Sequence, residues 1–504
     1  MQKVVLEHIL IVGGGTAGWM TAAALAHKLA LLPISVSLIE SDAIGTVGVG
    51  EATVPHIRFF NQTLGINEAE FMRATKATFK LGIEFKDWAR IGDTYLHPFG
   101  SYGEQIAGVD FHQHWLRLNG DGSAAELGEY SLPVRAALQD RFAAPADDSR
   151  SLLSTYSYAY QFDAGLYGRY LRKYAEARGV RRFEGRIVDV RQDGDSGAIL
   201  EVRLDSGEVI AADLFVDCSG FRGLLIDQRL HSPFESWSQW LPCDRAIAVP
   251  CKGVDELSPY TRSSARGAGW MWRIPLQHRT GNGHVYCSSF MSDEQAEQEL
   301  LGQLEGPALA EPNRLRFEAG RRTEQWKANC IAIGLASGFL EPLESTSIHL
   351  IQLGIGRLLE LLPLHGWDPL DAAEYNRAMN IEYERIRDFL VLHYCATERD
   401  DTAFWNHCRT MALPASLQEK IALFRERGVV APYRDGMFLE PSWLAVYLGQ
   451  RIVPERYDRR SDVIGATDLR AHFSDMKEAC RIAAQSLPKQ RDYLAQISGM
   501  AEAA

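Results

Sequence analysis

The 504-residue chain is long enough for two to four average domains or one large interwoven one. Its composition, 46% hydrophobic and 23% charged, is that of an ordinary globular enzyme, and a net charge of −12 argues against a nucleic-acid surface and favours no membrane partner. Eight scattered cysteines with no C-x-x-C suit reduced thiols in a cytoplasmic protein better than a disulfide framework.

The apolar stretch from Ile9 to Leu32 is broken by Gly13, Gly14 and Gly15 and then reaches His27 and Lys28, so it reads as neither signal peptide nor membrane span. His8 to Val12 reads instead as a buried parallel strand, Thr16 to Ala30 as a helix, and Val36 to Ile39 as the next strand, closing on Glu40. Between them, Gly13 permits a tight turn, Gly15 lets a pyrophosphate approach the backbone, and Gly18 lets the helix pack on the strand. Thr16 and Ala17 open the helix over that turn, and Glu40 stands where a carboxylate accepts ribose hydroxyls. This order predicts dinucleotide binding. Val47 to Pro55 is a glycine-rich run ending in proline, which on composition alone is a surface turn.

Glu68 to Phe79 is expected to be helical, and Leu81, Ile83 and Phe85 alternate as a strand, which puts Lys80 at the joint between two elements. His97-Pro98-Phe99-Gly100 reads as a turn with a buried Phe or as an aromatic contact for a flat substrate. His112-Gln113-His114 has metal-ligand residue types but no third ligand nearby in sequence, so no metal is expected. Arg186 to Val190, Ile199 to Leu204 and Glu208 to Ile210 form a β-meander, leading into an apolar strand through Asp217 and Cys218. Gly269 to Pro275 carries Trp270 and Trp272 and ends in a proline that cannot donate to a sheet, as on an edge strand. Cys330 to Gly334 is another apolar strand, Leu335 to Glu344 an irregular loop, and Thr346 to Leu362 a helix whose free amides attract anions. Ser345 or Thr346 is placed to cap it. Helical periodicity dominates from Leu350 onward.

Gly13-Gly14-Gly15-Thr16-Ala17-Gly18 together with Trp270-Met271-Trp272-Arg273-Ile274-Pro275 resembles the flavin-dependent halogenases, the group that includes the tryptophan halogenases, and the likeness runs to at least Gln450. The resemblance implies an α/β fold: an FAD-binding Rossmann-like domain of the glutathione-reductase/hydroxybenzoate-hydroxylase type with an inserted β-meander, plus a mainly α-helical C-terminal substrate region. The expected division is 1–350 for FAD, with 88–160 and 225–325 contributing to the substrate side, and 351–504 as a helical cover. It further implies FAD contacts at Gly13, Gly15, Thr16, Ala17, Gly18, Glu40, Val47, Gly48, Ala52, Val188, Asp217, Gly334 and Phe339. Catalysis falls to Lys80 and Glu344, and halide binding to Thr346 and Ser347. The family often has glycine where Ser347 stands, which puts chloride-versus-bromide preference in question.

Ile83, His97, Phe99, Trp272 and Trp443 would line the substrate pocket. Around Trp443 the chain lacks the tyrosine pair and acid with which tryptophan-specific members clamp the zwitterion, so indole or an indole derivative is expected rather than free tryptophan. Reduced FAD from a separate flavin reductase, dioxygen and chloride or bromide would yield hypohalous acid, guided to Lys80 and Glu344. A homodimer is compatible with this reading. The competing readings are a flavin-dependent aromatic hydroxylase and a non-catalytic FAD-binding protein.

Overall fold

The computed structural model describes residues 5–43, 50–253, 256–431 and 436–502. The chain forms two compact units that alternate along the sequence. One takes Met1–Lys76, Phe162–Ser238 and Phe317–Glu384, the other Ala77–Gln161, Gln239–Arg316 and Arg385–Ala504.

The first unit is built on a six-stranded sheet in the order Trp326–Lys327, Cys330–Ala332, Leu214–Asp217, His8–Val12, Ser35–Glu40, Arg181–Glu184. Neighbours are parallel throughout except at the Trp326–Lys327 edge. Strands buried on both faces read as unbroken apolar runs, which is why HILIV and LFVD need no alternation. The helix Thr16–Lys28 packs against Ala164–Glu176 and Ser347–Glu360. The meander, Ile187–Gln192, Ile199–Leu204 and Val209–Ala211, is antiparallel. Its Ile199, Val202 and Leu204 bury against Leu10, Phe215 and Cys330 of the parallel sheet. This is the expected Rossmann-like FAD domain with its inserted meander.

The second unit holds a seven-stranded sheet in the order Asn313–Arg316, Arg245–Cys251, Thr280–Tyr286, Gly269–Pro275, Thr261–Arg266, Gly82–Lys86, Thr94–Pro98. Gly269–Pro275 is therefore an interior strand, paired on both sides, and the edge placement suggested by its proline is corrected. Pro275 closes the strand, where a missing donor costs least. The helices Ala403–Thr410, Ala415–Arg427, Glu440–Gly449 and Ala466–Ser486 also belong to this unit. Among the described residues no helix is long and apolar enough to cross a membrane.

Candidate active site

In the first unit the glycine turn opens the helix Thr16–Lys28, whose N-cap, Gly15, makes no side-chain cap and whose first turn has no acid. Free amides there suit an anion. Gly13 takes φ +111°, and a Cβ on it would stand 2.3 Å from the carbonyl oxygen of Cys218, whereas a Cβ on Gly15 would meet nothing within 4 Å. One glycine is required by the fold; the other meets none of the described residues. Thr16 and Ala17 are half-buried over the turn, and Gly18 is buried.

Glu40 stands at the turn, with Oε1 accepting from Arg182 Nε at 2.6 Å and Arg172 at 3.2 Å, and Oε2 accepting from the Trp19 indole at 3.1 Å. Three donors fix the carboxylate before any ribose arrives. Asp217 is fully buried. Its carboxylate accepts from the amides of Ser219, Leu225 and Ile226 at 2.8–2.9 Å, shaping the loop after its strand.

The second segment returns to the same turn. Gly334 has φ +75°, and a Cβ there would lie 2.8 Å from Cβ of Ala17. Ala52 is buried, and Phe339 packs its ring on Phe221 and Phe317. Val188 is 60% exposed on the meander, away from the other candidates' burial. Val47 and Gly48 lie outside the described residues.

The stretch 335–344 is more ordered than the expected loop. It contains 3₁₀ turns at Gly334–Ala336 and Pro342–Glu344 and the two-residue strand Gly338–Phe339. Glu344 is 1% exposed, and Ser345 takes the left-handed conformation at φ 59°. The helix begins at Ser347. Its N-cap is Thr346, but no side chain caps it, so the capping role expected of Ser345 or Thr346 is not taken up.

The expected helix 68–79 stops at Thr75, at the end of a first-unit segment, and the second unit takes up the chain with the strand Thr78–Lys80, paired with Ala159–Asp163. Lys76 takes the left-handed cap conformation, which ends the helix. Lys80 thus closes a strand, fully buried, opposite Ala159, with Nζ 5.1 Å from the centre of the Phe99 ring. The amide of Phe99 donates to the carbonyl of Leu81 at 2.8 Å, holding that ring near the lysine. Ile83 pairs with His97, both buried, and the His97 ring sits among Phe99, Phe389 and Phe438. Trp443 is buried against Phe389, its indole donating to the carbonyl of Phe438 at 3.2 Å. Lys80, Ile83, His97 and Phe99 therefore form one neighbourhood, with Trp443 joined to it through Phe389. Trp272 lies on the interior strand, its ring centre 6.1 Å from that of Trp270.

The tryptophan halogenase family model matches residues 8–466. The chain belongs to that family. Tryptophan 6-halogenase SttH of Streptomyces toxytricini is 38% identical, over 97% of this chain and 98% of its own. Among solved structures, Xcc4156, a flavin-dependent halogenase from Xanthomonas campestris, has a TM-score of 0.95 at 46% identity, covering 98% of this chain and 99% of that one. BrvH, a flavin-dependent halogenase from Brevundimonas sp. BAL3, has a TM-score of 0.94 at 44% identity, with 98% and 99% covered. The protein is accordingly a flavin-dependent halogenase, an enzyme working with FAD and a halide, with reduced flavin from a separate reductase.

The halogenase's own residues fit that cofactor. Besides the open glycine turn, the helix Ser347–Glu360 and its N-cap present Thr346 Oγ1, His349 Nδ1 and both amide atoms of Gln352, all buried and, among the described residues, without a hydrogen-bond partner. A buried polar atom left unpaired costs about 1–3 kcal/mol, so a run of them at successive turns marks where a bound group completes the structure. His349 and Gln352 were not singled out from sequence. The signal was available: polar residues every third position after Thr346 on an otherwise apolar helix. Burial, and then the charge of His56 whose ring lies 4.4 Å away, brings the His349 imidazole down to about 3, so it is neutral at physiological pH.

Proposed function

We propose that this halogenase transfers halogen to indole or an indole derivative rather than to free tryptophan, with Lys80 and Glu344 as its catalytic residues. When bound, reduced FAD supplies the activation of dioxygen that turns chloride or bromide into hypohalous acid. Thr346 and Ser347, at an uncapped helix start, would hold the halide through backbone amides. Lys80 would hold the hypohalous acid by hydrogen bonding or, after giving up a proton, react as the neutral amine, exchanging an N–H for an N–halogen bond with release of water. Its support is a fixed, fully buried ammonium against an aromatic ring, a place for which a lysine without a task has no use. Glu344, 1% exposed, would accept the proton released by the halogenated ring and stabilise its positive charge. Gly13, Gly15, Thr16, Ala17, Gly18, Glu40, Ala52, Asp217, Gly334 and Phe339 would hold FAD directly or shape its site, and the all-reduced cysteines suit a cytoplasmic setting.

The observation that carries the substrate reading is the helix Glu440–Gly449. Its indole donor is spent on the Phe438 carbonyl, and its one tyrosine, Tyr447, is buried and stacked on Phe424 with ring centres 4.2 Å apart. A zwitterion deprived of two charged hydrogen bonds loses about 3–6 kcal/mol, enough to remove free tryptophan from the substrate range. Incubation with a flavin reductase, NADH, FAD, bromide and either indole or tryptophan, followed by mass spectrometry, tests it. Monobrominated indole with unreacted tryptophan is expected; faster bromination of tryptophan would refute the substrate reading.

A further inference from the structure

The expectation of no metal rests on the absence of a third ligand beside His112 and His114; Asp110 stands two residues before His112, and the fold adds Glu440. Asp110, His112 and Glu440 each offer one ligand atom, all within 4.8 Å of one another. All three belong to the second unit. Asp110 and His112 flank the start of the helix Phe111–Gly120, while Glu440 is the first residue of Glu440–Gly449.

The hydrogen-bond pattern around His112 identifies what is missing. Its Nε2 lies 2.9 Å from both the carbonyl oxygen of Gly428 and the side-chain amide nitrogen of Gln113, which itself donates to that carbonyl at 2.6 Å. Nδ1 is buried with the rest of a residue only 3% exposed, and among the described residues it makes no hydrogen bond. It faces the Glu440 carboxylate, 3.1 Å from Oε1. Asp110 adds a third ligand atom. It occupies the N-cap position but makes no side-chain cap, and Oδ1 accepts instead from the Gln105 amide at 2.5 Å. Arg460, whose charge couples to Asp110, is bonded at 2.5–2.9 Å to Asp458.

We propose that Asp110, His112 and Glu440 bind a divalent transition-metal cation, with zinc the best match to one imidazole and two carboxylates. Bonds of about 2.0–2.2 Å in a tetrahedral site separate ligand atoms by roughly 3.3 Å, close to the Nδ1–Oε1 spacing here. Metal-binding histidines have their other ring nitrogen anchored by a second partner, and Gly428 and Gln113 hold His112 Nε2 in that way. Glu440 has a half-exposed side chain, giving the ion an entry path and leaving the fourth position to water. The ion would clip the Phe111–Gly120 helix to the first turn of the helix that carries Trp443, a structural role independent of the substrate reading above.

The test uses the full chain, stripped with a chelator and dialysed against zinc sulfate, with bound metal measured by mass spectrometry and affinity by competition with a fluorescent zinc indicator. One zinc per chain is expected, with at least 100-fold weaker binding in His112→Asn and at least 10-fold in Glu440→Gln. Zinc should also raise the Tm of the wild type and leave that of Glu440→Gln unmoved. Should His112→Asn fold poorly, Glu440→Gln still decides, because its side chain is half-exposed. Failure of the wild type to bind a stoichiometric zinc would overturn the proposal, as would unchanged affinity in folded variants or a preference for magnesium over zinc.

Discussion

Two glycines of one turn should fail in opposite ways when given a methyl group. A Cβ on Gly13 would sit 2.3 Å from the Cys218 carbonyl oxygen, and the residue needs φ +111°. The left-handed backbone costs about 1–2 kcal/mol and the overlap about 1–3 kcal/mol more, so Gly13→Ala should destabilise the FAD-free protein by about 2–5 kcal/mol. A Cβ on Gly15 meets nothing within 4 Å, so Gly15→Ala should leave the FAD-free Tm within about a degree of wild type. Its methyl group instead occupies the space a pyrophosphate needs to reach the amides. Losing one or two charge-assisted hydrogen bonds, at about 1.5–3 kcal/mol each, weakens FAD binding by at least tenfold. Differential scanning fluorimetry of the FAD-free proteins and titration with FAD separate the two effects. A Gly15→Ala protein that unfolds early, or that binds FAD as wild type does, would refute the reasoning.

Asp217→Asn removes the charge that three backbone amides share, and should lower stability by about 2–4 kcal/mol by urea titration while leaving the strand order intact. Burial holds the imidazoles of His284 and His349 down, to about 4 and about 3, from 6.5. The unfolded chain therefore binds more protons, and the stability these neutral rings contribute is present above pH 6.5 and lost as pH falls towards 3, by a few kcal/mol at about 1.4 per unit. The FAD-free Tm should fall steadily below pH 6.5, and less steeply in His284→Gln; an equal slope would assign the acid lability elsewhere. Burial pushes the Glu51 carboxyl up to about 8 from 4.5, with the opposite sign: the stability it contributes is full below 4.5 and lost as pH rises through 8. Glu51→Gln should therefore gain on wild type in Tm between pH 6 and pH 9, and a constant difference would show the carboxyl to be solvated.

Local pattern revealed the parallel strands and the glycine turn, because both are written in a few adjacent residues: an apolar run, Gly13, and a helix start at Thr16. What remained hidden depends on partners distant in the chain. The Trp270–Trp272 strand is interior only because Thr261–Arg266 and Thr280–Tyr286 pair with its two sides, and a proline at its end gives no hint of that. The helix after Glu68 stops at Thr75 because Lys76 adopts a left-handed cap, a conformation lysine seldom signals. Lys80 was picked out by family pattern; its complete burial against Phe99 is a tertiary fact. Asp110 and His112 are close in sequence, but Glu440 joins them only once the far helix has folded back.

The central claim is that Lys80 conveys the halogen to the substrate, and its removal tests this most directly. Lys80→Met and wild type would each be supplied with reductase, NADH, FAD and bromide, then assayed for brominated indole and, in parallel, for hypohalous acid captured by monochlorodimedone. The variant should retain FAD binding and bromination of the trap while its brominated indole falls at least 100-fold. Undiminished indole bromination by the variant, or oxygenated and never halogenated product from the wild type, would contradict it.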